Sequence, residues 1–272
     1  MMRLRSAAFA VLLLLPLLTA CRAFMVPAMK EQRAEYVAPD YHVVDDAKTT
    51  QRMAAERRLS LAEQRLNAGD LKMAEAEASA ALKANPSSVE ALTLLAVIAD
   101  KKGASAQAGE YFKRAAEAAP KRGGVLNNYG AWLCGNGFPA ESLVWFDRAL
   151  AAPDYGTPES ALANAGGCAL KTGQYERADR DLRKALSIAP QNAYALASLA
   201  ESEYRQGRYF QARAFTERRL AAAPASAAVL QLAAGIEEKL GDKAAASRYV
   251  QRLRAEFPDV VTADPWGKQG HD

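Results

Sequence analysis

Apolar residues recur three and four apart through most of the chain, and they come in paired stripes. Between Val125 and Leu150, the residues Leu126, Tyr129, Gly130 and Leu133 share one face of a first helix. Ala140, Leu143, Phe146, Ala149 and Leu150 share one face of a second. Gly137 stands between the two stripes, so the pattern predicts two antiparallel helices joined by a tight turn. A lone hairpin cannot bury both stripes and needs neighbours on either side.

The sequence supplies those neighbours. The turn glycine recurs as Gly69, Gly103, Gly137, Gly173, Gly207 and Gly241, in steps of 34, 34, 36, 34 and 34 residues. Seven residues before each glycine sits a small residue: Ala62, Ala96, Gly130, Gly166, Ala200 or Ala234. Five residues after it sits another: Ala74, Ala108, Ser142, Ala178, Ala212 or Ala246. Seventeen after it, in five of the repeats, a proline stops the second helix: Pro86, Pro120, Pro190, Pro224 and Pro258. This pattern resembles the tetratricopeptide repeat. The expected fold is all-α, a right-handed superhelix of six helical hairpins over residues 54–259. The repeats fall at 55–88, 89–122, 123–158, 159–192, 193–226 and 227–259. Repeat 3 has its proline one place early, at Pro153, and a two-residue insertion within residues 153–159. That insertion is expected to widen the turn between repeats 3 and 4. No separate capping helix follows repeat 6, whose Glu237, Glu238, Lys239, Arg248 and Arg252 are expected to give it a polar end face.

The flanks lack this period. Arg3 and Arg5 precede an apolar run from Ala7 to Leu18, of signal-peptide length and short for a bilayer span. Leu18-Thr19-Ala20-Cys21 follows and resembles a bacterial lipobox. Residues 1–20 are therefore expected to be removed as a lipoprotein signal peptide, with Cys21 lipidated as the mature N-terminus. The acyl chains of such a cysteine, at about 0.8 kcal/mol per buried methylene, suffice for stable anchoring. Residues 21–53 carry Pro27, Pro39 and mixed charge, and read as a flexible tether with a reach of about 30 Å. A short helix at Met29 to Glu35 would only shorten that reach. Residues 260–272 read as a loose tail.

Composition adds little beyond this. The formal charge of +4 falls to +2 once Arg3 and Arg5 leave with the signal, which is no footprint for nucleic acid. Of three cysteines, Cys21 is assigned to lipid. Cys134 and Cys168 lie on the first helices of adjacent repeats, which pack side by side. A disulfide is favoured there over two buried free thiols. The only histidines, His42 and His271, fall outside the repeats, so no metal site or cofactor is expected. Phosphate loops, nucleophile elbows and paired histidines are absent from the sequence, and the carboxylates are scattered. Glu201 and Glu203 are the two that could face a groove. The chain reads as a non-enzyme with no small-molecule substrate.

In tetratricopeptide proteins the first helices line a groove for a peptide. The corresponding positions here are Leu59, Leu66, Thr93, Leu94 and Val97, then Asn127, Asn128 and Ala131. Ala163, Asn164, Gly167, Tyr194, Tyr204 and Arg205 follow. Asn128 and Asn164 occupy the same place in successive repeats. They can form a ladder to a bound peptide backbone or satisfy groups between helices.

Repeats 3 and 4 carry a closer likeness. Asn127 to Gly137, the Pro153-Asp154-Tyr155 insertion, Asn164 to Cys168 and the late Leu253-Arg254 to Phe257-Pro258 resemble the type IV pilus biogenesis/stability lipoproteins PilF and PilW. Gly167 stands where that family has a larger residue. The resemblance implies a pilotin: an outer-membrane lipoprotein facing the periplasm, anchored through Cys21. It would bind subunits of the pilus secretin and promote their outer-membrane localisation and multimerisation. Competing readings are a lipoprotein adaptor for peptidoglycan enzymes or for outer-membrane protein assembly, and a catalytic lipoprotein with an unrecognised site.

Overall fold

The computed structural model describes residues 46–153 and 155–261. The signal segment, Cys21, the tether up to residue 45, His42, Asp154, the tail from residue 262 and His271 lie outside the described residues. The described chain is helical, with no strand, and is built from six hairpins. These are α1 (Ala47–Asn67) with α2 (Leu71–Ala84), α3 (Val89–Lys101) with α4 (Ser105–Ala118), and α5 (Gly123–Gly135) with α6 (Pro139–Leu150). Next come α7 (Pro158–Lys171) with α8 (Tyr175–Ile188), α9 (Ala193–Arg205) with α10 (Tyr209–Ala222), and α11 (Ala227–Leu240) with α12 (Lys243–Glu256). One further turn, α13 (Pro258–Val261), follows α12.

The turns share one geometry. All six turn glycines are left-handed, with φ between +73° and +93°. The residue after each glycine donates its N–H to the carbonyl five residues back, as Phe138 does to Leu133 at 2.9 Å. This is the longer bond of a Schellman stop, which needs a residue tolerant of positive φ. Replacing Gly137 by Ala leaves the new Cβ in open space, so only backbone strain is added. A loss of about 1 kcal/mol is expected in urea unfolding. An unchanged midpoint would show that the turn relaxes out of the left-handed region.

Packing follows the small residues. Every residue seven before or five after a turn glycine is buried. At Gly130 an added Cβ would lie 2.9 Å from the Phe146 ring, and at Gly166 it would lie 2.5 Å from Leu182. The larger apolar residues form core clusters that run across repeat boundaries. One joins repeats 1 and 2, a second repeats 2 to 4, and a third repeats 3 to 5. Continuity across boundaries is what makes each hairpin depend on its neighbours.

Several expectations need correction. Residues 47–53, assigned to the tether, are the first turns of α1. Asp46 caps that helix, its carboxylate accepting from the Thr49 N–H at 2.6 Å. That bond also holds the Asp46 carboxyl below the usual aspartate range. The segment is polar on all sides, so hydrophobic periodicity could not reveal it. The insertion in repeat 3, expected only to widen a turn, also carries a side chain back onto an earlier helix. The Tyr155 ring packs on Gly123 at the start of α5, where an added Cβ would come within 2.5 Å of it.

Two acids expected at surfaces are internal. Glu203 is fully buried, bonded by Arg183 at 2.6 Å and by Arg208. It therefore ties α9 to α8 and to the following turn and faces no groove. Glu201 pairs with Arg205 on its own helix. Glu237, expected on a polar end face, is 4% exposed and is held by both ends of the Arg213 guanidinium. It joins repeat 6 to repeat 5. Hydrophobic patterning cannot distinguish an acid with a buried partner from a solvated one.

Candidate peptide-binding groove

Three first helices and the repeat 3 insertion enclose a groove of about 720 Å³. Its apolar wall is Val89, Leu94 and Val97 on α3, with Val125 on α5. Thr93 and Asn128 supply neutral polar groups, and Glu63 comes from α1. Pro153, Tyr155, Gly156 and Thr157 close the side toward repeat 4. The insertion thus gives the groove a wall that a regular 34-residue spacing would not.

Two further depressions adjoin it. One of about 930 Å³ lies between α1 and the start of α3, includes Leu59, and shares Glu90 with the first. The other, of about 530 Å³, shares Val97 and Asn128 and adds Ala131 and Trp132. The Trp132 ring occupies the space a side chain would need at Gly109. Shared residues make the three depressions one path along repeats 1 to 3.

The residues expected to line a groove therefore divide. Leu59, Thr93, Leu94, Val97, Asn128 and Ala131 lie on this path. Leu66 packs on the core of repeats 1 and 2. Asn127 is buried, and its side-chain carbonyl accepts from the Asn164 amide at 3.0 Å. That bond joins α5 to α7. Asn128 and Asn164 therefore form no ladder: one faces the groove and the other fastens two repeats. Ala163 is buried in the core.

Gly167 accommodates the tip of Tyr194 from α9, which occupies the space a Cβ would need. Tyr194 keeps 46% of its surface exposed, yet its hydroxyl end is covered, and that burial raises its pKa. Tyr204 packs on Tyr209, with ring centroids 5.6 Å apart. Neither tyrosine lines the path. Tyr155, Lys121, Arg122 and the Gly123-Gly124 pair do line it and were missed by position counting. The irregular repeat length and the double glycine were the available signals.

Electrostatics on the path are mixed. Arg122 donates to Glu90 at 2.6 Å, which holds the Glu90 carboxyl below the usual glutamate range. A depressed carboxyl contributes stability above its unfolded pKa and loses it as pH falls through the lower folded value. With both side chains more than half exposed, the contribution is at most about 1 kcal/mol. Tyr155 has its pKa raised by burial. The Thr157 side chain beside its hydroxyl offsets part of that rise.

Beside the path, a disulfide joins Cys134 on α5 to Cys168 on α7, with Cα atoms 5.9 Å apart. Lys171 adds a bond from its ammonium to the Cys134 carbonyl at 3.2 Å. With the Asn127–Asn164 bond, these fasten the junction next to the insertion. Among the described residues no group of three His, Cys, Asp or Glu is placed to hold a metal ion. No described helix is long and apolar enough to cross a membrane.

Stacked hairpins with left-handed turn glycines and a groove along the first helices define a tetratricopeptide-repeat protein. Family models for that repeat match residues 59–122 and 169–236. The crystal structure of PilW, described as a widely conserved type IV pilus biogenesis factor, is 32% identical and superposes with a TM-score of 0.71. It covers 75% of this chain and 94% of that one. The chain belongs to the PilF/PilW family of tetratricopeptide-repeat proteins. PilF of Pseudomonas aeruginosa is 22% identical, with a TM-score of 0.69 over 77% of this chain and 95% of that one, a likeness of fold. A repeat protein of Parabacteroides merdae shares the fold at 20% identity and a TM-score of 0.62, over 75% and 80% of the two chains. No curated protein matches the sequence.

Proposed function

We propose that this protein is a pilotin of the type IV pilus. Cys21 carries the lipid, and residues 22–45 link it to the repeats. The groove along repeats 1 to 3 receives a segment of the secretin subunit, which is thereby brought to the outer membrane and assembled into its multimer. The observation that carries this reading is the 32% identity to the pilus biogenesis factor PilW across 75% of the chain. An open groove of peptide dimensions, with apolar and amide-bearing walls, supports it.

Its test is the fate of the secretin in cells lacking the protein. Heat-resistant multimers are expected to disappear or to remain in the inner membrane, and a Cys21→Ser chain is expected not to restore them. A Leu59→Asp/Leu94→Asp chain that is present, helical and lipidated is expected to lose most secretin multimers, because each change puts a charge on the apolar path. Normal multimers in the null strain would remove the pilotin reading and bring forward an adaptor for peptidoglycan enzymes or outer-membrane protein assembly.

A further inference from the structure

Repeat 1 has a side that no described hairpin covers. α1 packs on α2 and α3, and no described hairpin precedes it. In a stack of hairpins that free side is where a preceding unit would pack. Among the described residues eight large hydrophobic side chains stay exposed, and three of them belong to this repeat: Met53, Leu61 and Met73. No other repeat has as many, and repeat 6 has none.

The three share one face. Met53, Arg57, Leu61 and Arg65 follow at intervals of four along α1 and are all exposed, while Ala62 is buried in the core. Arg58 bonds Glu77 of α2 at 2.8 Å, which sets the two antiparallel helices in register. Leu61 comes one turn after Arg58 and Met73 one turn before Glu77, so the two stand level on the side that this bond marks. Exposed Ala76 continues the strip along α2.

That face is also basic. Arg57, Arg65, Lys72 and Lys83 are exposed and have no ion-pair partner among the described residues. Its one acid, Glu77, is tied to Arg58 and keeps only 17% of its side chain exposed. The other acids of repeat 1 are engaged elsewhere. Asp46 and Asp70 cap helices, Glu75 bonds Lys102 of repeat 2, and Glu56 and Glu63 line the path. Leu59, also on the path, is two residues from Leu61 and lies on the opposite flank of α1. Covering the free face therefore leaves the groove open.

Four uncompensated cations around exposed methionine and leucine fit a surface that is anionic outside and apolar beneath, the chemistry of a phospholipid bilayer. A second copy docked by the same face would set its four cations against these. Only 24 residues, 22–45, separate Cys21 from the Asp46 cap, so repeat 1 is the hairpin closest along the chain to a lipid on that cysteine. We propose that the free side of repeat 1 docks on a bilayer containing anionic phospholipid and keeps the groove open beside it. The cellular setting rests on the lipid anchor of the proposed function, whereas the surface itself does not.

The test uses residues 21–272 with Cys21→Ser, which carry no lipid. They are sedimented at low salt with phosphatidylcholine vesicles that do or do not contain phosphatidylglycerol. Binding is expected only with phosphatidylglycerol and is expected to weaken steeply as salt rises. The Arg57→Glu/Arg65→Glu/Lys72→Glu chain is expected to bind at least about tenfold more weakly. The Met53→Ser/Leu61→Ser/Met73→Ser chain, with every charge intact, is expected to lose about fivefold or more. Lys239→Glu/Lys243→Glu/Arg248→Glu, in repeat 6, is expected to leave binding unchanged. All of these residues are exposed, so melting temperatures serve as the control for intact folding. Four results would each overturn the proposal: no binding to phosphatidylglycerol vesicles, an equal loss in the repeat 6 variant, no loss in the serine variant, or a concentration-dependent dimer that the serine variant abolishes. Such a failure would leave the secretin assay untouched. Normal secretin multimers in the null strain would remove the pilotin reading while leaving the vesicle result standing.

Discussion

Replacing Cys134 and Cys168 together by alanine is expected to cost about 4 kcal/mol. The bond closes a loop with a sequence separation of 34 residues. The chain-entropy relation for a loop of this size yields a value near that figure, largely by restricting the unfolded chain. Both sulfurs are buried, at 6% and 2% exposure, so alanine leaves a small void and no unsatisfied polar group. The loss is expected as a fall in melting temperature of roughly 10 °C for a body of this size. Repeat arrays also loosen locally. Amide exchange in α5 and α7 is therefore expected to rise first, before that in α1 or α11. Trp132, Gly135 and Asn136 of the path lie beside Cys134 in the chain, so on the pilotin proposal secretin multimers are expected to fall in the same variant. A melting temperature within a degree or two of the native value would mean that the sulfurs act only as packing atoms.

Arg208→Leu is expected to cost about 2–3 kcal/mol, more than removal of the acid it serves. Arg208 bonds both Glu203 and Asp179, and the Glu203 bond is the main reason its guanidinium is held protonated beyond its ordinary range. Its loss leaves Glu203 buried with Arg183 alone, whose side chain is half exposed. Breaking a buried pair costs up to about 5 kcal/mol when the surviving charge is stranded, and the remaining Arg183 bond reduces that. Asp179 retains its bond from the Ser202 hydroxyl at 2.6 Å. The Glu203→Met/Arg208→Leu double variant is expected to recover much of the loss, since it strands no buried charge. Urea midpoints of the two singles and the double close the cycle. Additive losses would show that the two side chains do not act as a unit.

Neither Glu203 nor Arg208 was legible as a pair. They lie five residues apart across a turn, and a burial pattern written in apolar residues does not register an acid that goes inside with its partner. The same holds for Glu237 with Arg213. The cysteine pair was more accessible, because both residues occupy first helices of adjacent repeats and such helices lie side by side. Tyr155 shows the opposite case. The insertion that carries it was visible as a break in period, but its direction was not, and the loop turns inward onto Gly123. Asn127 and Asn128 are neighbours in the chain, yet one is fastened to Asn164 and the other faces the groove. A helix places consecutive residues about 100° apart, so a groove inferred from adjacent positions mixes exposed and buried members.

What the sequence by itself determined is the repeat. Turn glycines, small residues at two set distances and a terminating proline are local requirements of backbone conformation and close helix approach, and each leaves its mark at a regular interval. The tertiary structure decided what the repeats do with their exceptions: which polar residues are buried with partners, which line an open path, and how an irregular loop is seated. Those outcomes depend on contacts between residues 20 to 37 apart, whose pairing is set by how neighbouring hairpins pack and not by any local preference of the chain.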